Sequence, residues 1–391
     1  MGQRNSIRSG KPLAVLCSLV LAAGCSSLAS AQQANQTPVK VAATSKRADP
    51  KTVTPSLKSL ASIRVQSSLV ETPVTVMDST GEFVQSLSKS DFQVLDNGVQ
   101  QRIAKFGLAT APVALVILVQ TNQTVAPLLD QVRPLGSLFS DLLLGKQGQA
   151  AVICFDTKVR VVQNFTSSAA ALSQTLQHIT DEGAQARLND ALARAILMLV
   201  NRPAAERRVI IVFSEGFDRG SETTKAEIVR AATGADVAIY GLQFKPAAAL
   251  LKNPQPSPAP DALTQNLALP GMPGTPRTQS MLQGEYDTPN ILTLPMISDI
   301  GNVIASAKGK NLLQLYAGFT GGSAYSHWKA SQLQKQLMLV ALEVNSQYIL
   351  AYAPSTLNEE GFHRVQVKVL PPDLKVMARA GYFYKIKMKK K

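Results

Sequence analysis

The chain has 391 residues, room for two domains of ordinary size. Its 45% hydrophobic and 17% charged residues exclude a wholly disordered chain, and no apolar run reaches the roughly 18 residues of a spanning helix, which excludes a multi-span membrane protein. The net charge of +14 falls to +6 once three cations near the N-terminus and five lysines at the C-terminus are set aside, so nucleic acid is not an expected partner.

Arg4, Arg8 and Lys11 precede the apolar stretch Pro12–Ala23, the layout of a secretory leader. Two processing sites stand open. Ala29-Ser30-Ala31 would give a leader 1–31, and Leu21-Ala22-Ala23-Gly24-Cys25 resembles a bacterial lipobox, giving a lipoprotein leader 1–24 with lipid on Cys25. Both predict a protein outside the cytoplasm: periplasmic, an outer-membrane lipoprotein, or secreted. Of Cys17, Cys25 and Cys154, at most two survive processing, so a disulfide framework is excluded. Residues 32–61, rich in Gln, Ser, Thr and Lys, read as a flexible linker.

From 62 to 108 the pattern is β. Leu69–Val76 reads as a strand in which Pro73 argues for an edge or bulge. Asp78-Ser79-Thr80-Gly81 is a turn, and Asp96-Asn97-Gly98 between Phe92–Leu95 and Val99–Phe106 is a hairpin signal.

At Pro112 the pattern changes. Val113–Val119 is apolar without alternation, as expected for a strand buried on both faces, and similar runs recur at Ala150–Phe155, Val209–Phe213 and Val237–Leu242. Helical stretches lie between them, at about 125–144, 167–179, 187–200 and 223–234. This alternation predicts an α/β, doubly wound and mostly parallel sheet over 110–345. A Pro-rich insertion, 246–296, interrupts it. Helix is expected again around 298–319, a short strand at Ser323–Trp328 and a helix at about 330–345.

The segment 346–384 returns to β pattern, with strands at Gln347–Tyr352, Arg364–Val369 and Leu374–Phe383. The two flanks are expected to form one β-rich domain, since the ends of an α/β domain can lie close together. Residues 385–391 form a basic tail; that tail and a lipid on Cys25 are the two expected routes to a membrane.

These residues resemble a known family. The α/β core resembles a von Willebrand factor type A domain. From about 65 to 384 the chain is similar to bacterial exported proteins with a von Willebrand factor A-related domain, abundant in acidobacteria. The resemblance rests on Pro73–Asp78 with Gly81, Phe83 and Val84; on Leu87–Phe92 and Asp96–Gln101; and on Val209–Gly216, Thr320-Gly321-Gly322, Ser346–Tyr352 and Leu374–Tyr382. It implies an adhesion or interaction module, often built around Mg²⁺ at the sheet's C-terminal edge. The family pattern there is DxSxS after the first strand, a Thr before the third helix and an Asp after the fourth strand.

This chain departs from that pattern. Gln120 stands for the first Asp, Asn122 and Thr124 for the serines, Ala186 for the Thr and Glu215 for the second Asp. One carboxylate remains where two are expected, and a hard divalent ion gains most from carboxylates. A degenerate adhesion site is therefore expected, with no cofactor, or at most weak Mg²⁺ held by Asn122, Thr124 and Glu215. Asp130 and Asp218 are the acids that could be recruited. Gln120, Asn122 and Thr124 equally suit a hydrogen-bonded loop that caps the following helix.

The expected function is non-catalytic binding of a protein or cell-surface ligand at Gln120, Asn122, Thr124, Ala186, Glu215 and Asp218. The alternatives are a structural envelope protein and a metal-dependent adhesion module with a non-standard site. An enzyme is not expected. The histidines, His178, His327 and His363, lack metal-ligand spacing, and neither a GxSxG elbow nor a phosphate-binding glycine loop occurs.

Overall fold

A computed structural model describes residues 69–244, 304, 311–327, 330–355, 361–370 and 373–384. The expected leader with Cys25, the linker 32–61, the Pro-rich insertion 246–296, Trp328 and the basic tail 385–391 lie outside the described residues.

The N-terminal flank folds as β1 (Val70–Met77), β2 (Phe92–Asp96), β3 (Val99–Gln101) and β4 (Ile103–Leu108). Asn97 and Gly98 both take positive φ, 49° and 83°, the backbone a two-residue hairpin turn needs. The run expected as one strand from Val99 divides at Arg102, because β3 pairs with β2 while β4 joins another sheet.

The α/β layer follows. In chain order it holds β5 (Val113–Gln120), α1 (Ala126–Val132), α2 (Gly136–Phe139), β6 (Gln149–Phe155), β7 (Val159–Thr166), α3 (Ala169–Gln177) and α4 (Leu188–Val200). It continues with β8 (Arg207–Ser214), α5 (Lys225–Gly234), β9 (Val237–Phe244), α6 (Leu312–Thr320), β10 (Ala324–His327) and α7 (Ala330–Asn345). The strand order is β10-β9-β8-β5-β6-β7, parallel except for β7. β5 shows why the run lacked alternation. Ala114, Val116 and Leu118 enter a core with α4, α5 and α6, while Leu115, Ile117 and Val119 enter one with α1, α3 and α7.

The C-terminal flank supplies β11 (Tyr348–Tyr352), β12 (Gly361–Val369), β13 (Lys375–Ala378) and β14 (Gly381–Tyr384). Strands from both flanks interleave in two four-stranded sheets, β13-β1-β11-β4 and β14-β12-β2-β3. Val74, Val94, Ile103, Leu350, Val365 and Tyr382 join them in a third core. β1 is interior, yet Pro73 sits on a local edge. β11 pairs residues 70–74 of β1 and β13 pairs only 74–77, so the missing N–H of Pro73 breaks no ladder bond on the β13 side.

Candidate functional site

Chain direction places the C-terminal ends of β5, β6, β8 and β9 on one rim. From β5 the chain runs outward to β6 and β7, then crosses back to add β8 and β9 on the other side of β5. The crevice at such a switch point is where open α/β sheets bind ligands.

Gln120 ends β5, fully buried. Its Oε1 accepts from the Ser214 hydroxyl at 2.8 Å and from the Glu215 backbone N–H at 3.1 Å. Its Nε2 donates to Asn122 Oδ1 at 2.9 Å and to Glu215 Oε1 at 3.2 Å. One amide therefore ties β5, the turn after it and the end of β8 together. Glu215 is itself buried, and Oε1 also meets Arg219 Nη1 at 3.4 Å.

Gly216 follows with φ +83°, and an added Cβ would strike the Asn311 Oδ1. That close approach lets Leu312 N–H donate to the Gly216 carbonyl at 2.9 Å. Asn311 then caps α6 through Leu313 N–H at 3.0 Å and donates to Gln243 Oε1 at 2.8 Å, while Gln243 Nε2 donates to the Glu215 carbonyl at 3.0 Å.

Gln120, Asn122 and Glu215 thus meet. Asn122 begins the short 3-10 turn Gln123–Val125, but its side chain does not cap that turn; it faces Gln120 instead. Thr124 is exposed. Ala186 is buried and pairs backbone to backbone with Arg219. Asp218 serves the start of α4, accepting from Asn189 N–H at 2.9 Å and the Ser221 hydroxyl at 2.6 Å. Burial raises its carboxyl above the usual range, against the lowering by those two donors. Asp130 pairs with Arg133.

Nearby buried acids are likewise engaged. Asp156 binds Arg160 at 2.6 Å and the Thr121 hydroxyl at 2.9 Å; Asp190 binds Arg187 at 2.7 Å and the Thr223 hydroxyl at 2.7 Å. A divalent ion requires a set of oxygens. At the positions expected to hold an ion, the rim offers the Glu215 carboxylate, already shared by an amide and a guanidinium, and the two amide hydrogens of Gln120; the neighbouring Asp156 is paired with Arg160. Such a donor set does not suit the ion. Among the described residues, no group of three or more His, Cys, Asp or Glu is placed to hold a metal.

Reading the sequence alone missed Ser214, Arg219, Gln243 and Asn311. Only Ser214 carried a signal, as the neighbour of Glu215. A second polar cluster was also missed. Asp96, fully buried, accepts from the Tyr352 and Tyr382 hydroxyls at 3.0 and 2.8 Å and lies 3.0 Å from His363 Nδ1. Burial first, and then the Asp96 charge, push both phenols above their usual range, so they stay protonated as donors. His363 stacks on Tyr382 at 5.0 Å. The cluster joins β2 to β11, β12 and β14 inside the flanking sheets.

Residues 74–217 match the family described as von Willebrand factor type A domain. Among solved structures, the von Willebrand factor domain of the type V pili tip protein Mfa5 from Porphyromonas gingivalis is 18% identical, over 28% of this chain and 40% of that one, with TM-score 0.25. Conserved hypothetical protein BatB from Bacteroides thetaiotaomicron is 15% identical, over 59% and 98%, with TM-score 0.38. A von Willebrand factor type A protein from Catenulispora acidiphila is 10% identical, over 82% and 75%, with TM-score 0.39. No curated protein matches the sequence.

Proposed function

We propose that this chain, which carries a von Willebrand factor type A domain, is an exported, non-catalytic interaction module that holds a protein or surface ligand at the rim around Gln120, Asn122, Thr124 and Glu215 without a divalent ion. The domain itself points to interaction or adhesion. The observation that carries the metal-independent reading is the Gln120 amide. Its hydrogens point at Asn122 Oδ1 and Glu215 Oε1, the oxygens a cation would need, and its oxygen is taken up by Ser214 and Glu215. Export is supported by the leader pattern at residues 1–31. No helix among the described residues is long and apolar enough to cross a membrane.

The test is photo-crosslinking in the producing cell. A benzophenone amino acid replaces exposed Thr124 on the rim, or exposed Val162 on β7 as control. A discrete adduct from position 124, absent from 162 and unchanged by EDTA, is the expected result. Loss of that adduct on chelation would restore the metal-dependent reading, and identical adducts from both positions would remove the rim as the site.

A further inference from the structure

The run Val99–Leu108 forms an outer edge of both flanking sheets, β3 closing one and β4 the other. It ends just before β5 begins, away from the rim where β5 ends. Ladder alternation decides which of its backbone groups are already engaged. Ala109 N–H donates to the Gln347 carbonyl at 2.8 Å, so these two residues form a hydrogen-bonded pair. In an antiparallel ladder such pairs alternate with pairs whose N–H and C=O point away from each other. Leu108 stands opposite Tyr348, Gly107 opposite Ile349 and Phe106 opposite Leu350. The backbone groups of Gly107 therefore face β11, and those of Phe106 and Leu108 face outward. On β2, Asn97 N–H donates to the Arg364 carbonyl at 2.9 Å, which turns the groups of Asp96 toward Val99 and leaves Gln100, opposite Leu95, pointing outward. Among the described residues, no strand lies beyond this edge.

The side chains give the edge its chemistry. Val99 and Leu108, at its two ends, are among the large apolar side chains most exposed in the described residues. Leu108 shares a face with Phe106, whose ring lies 5.6 Å from Tyr348 and 5.4 Å from Phe92 at the margin of the third core. Arg102 and Lys105 are exposed, and no acid occurs between Val99 and Leu129. Proteins ordinarily cover or blunt a sheet edge of this kind. Like charge on both edges disfavours pairing with a second copy, and two cations without an acid suit a strand that brings one.

We propose that this edge accepts an extended, acid-bearing strand of a partner protein, added antiparallel to β4 through the outward backbone groups of Phe106 and Leu108. Register then fixes the chemistry of the partner. Its residues opposite Leu108 and Phe106 lie on the core side and are apolar, and the residue opposite Lys105 is Asp or Glu. From N to C the partner strand reads apolar, any residue, apolar, acid. This is a second surface, independent of the interaction reading of the rim.

The experiment selects peptides from a displayed random library on the purified chain and follows backbone amide exchange by NMR with and without a selected peptide. The selected sequences should carry the apolar, any, apolar, acid pattern. Lys105→Gln should weaken their binding about threefold, the size of an exposed ion pair, and Lys105→Glu should instead select Lys or Arg at the acid position. The peptide should slow exchange at Phe106 and Leu108 and leave Gly107, already bonded to β11, unchanged. Acids still selected by Lys105→Glu, protection that misses Phe106 and Leu108, or a library without binders would overturn the proposal. Slow exchange of those two amides in the chain alone would give the edge to another segment of the chain. A dimer in sedimentation that Leu108→Glu dissolves would give it to a second copy, and either result would also overturn the proposal.

Discussion

The Gln120 amide at the end of β5 supplies two hydrogens, and those hydrogens organise the rim. The polar run that follows the β5 strand and the acid that follows β8 were legible in the sequence. The direction of each hydrogen bond was not, because it follows from the Glu215 backbone N–H, 95 positions away. The Asp96–His363 contact, 267 positions apart, was hidden for the same reason. Another buried acid yields a prediction at this scale. Glu343 on α7 faces the sheet, with the Tyr325 hydroxyl 3.2 Å from Oε2. Burial pushes its carboxyl up to about 7, against lowering by the Ser323, Tyr325 and Tyr240 hydroxyls. Between pH 4.5 and about 7 the unfolded chain gives up this proton while the folded one keeps it, so stability falls as pH rises through that window. The loss approaches about 3 kcal/mol and levels off above it. Denaturant midpoints from pH 4.5 to 8 should show this decline in the wild type, and Glu343→Gln should flatten it and be the more stable form at pH 8. Parallel curves for the two proteins would refute the assignment.

Long apolar runs made the parallel strands easy to read, because burial on both faces leaves no polar alternation. β7 escaped notice. It is an antiparallel edge strand with mixed exposure, and its tight connection to β6 contains neither Gly nor Pro. The helix expected over 125–144 is instead broken into 3-10, α and π turns, with Pro127 and Pro134 each entering near the start of a segment. What joins elements could not be read from either pattern. Arg379, between β13 and β14, is buried and donates to the carbonyls of Gly381, Glu71 and Thr233 and to Asp236. It thereby couples the end of α5 to β1, with the cation near a helix C-terminus where the helix dipole favours it. Arg379→Met keeps the apolar stem and leaves those acceptors unmet. We expect a loss of about 3 kcal/mol in urea unfolding. A loss under about 1 kcal/mol, the range of a surface ion pair, would mean that the contact is incidental.

At the scale of the whole chain, the flanking segments were recognised as β from composition and turns. That they form one β-rich domain was expected from the nearness of the ends of an α/β domain; the structure adds that their strands interleave, β1 pairing with β11 and β2 with β12. The register of β4 on β11 and the split at Arg102 depend on contacts 240 or more positions apart and lay beyond the sequence. The rim these elements support is laced by the hydrogen bonds of Gln120, and the proposal is that it binds its ligand without a divalent ion. Calorimetric titration of Mg²⁺ and Mn²⁺ into the purified chain, beside the variant Gln120→Asp/Ala186→Thr/Glu215→Asp, tests it most directly. The account predicts no saturable heat for the wild type at millimolar metal and a measurable one for the variant. One equivalent of metal bound by the wild type, and lost in Glu215→Gln, would contradict it.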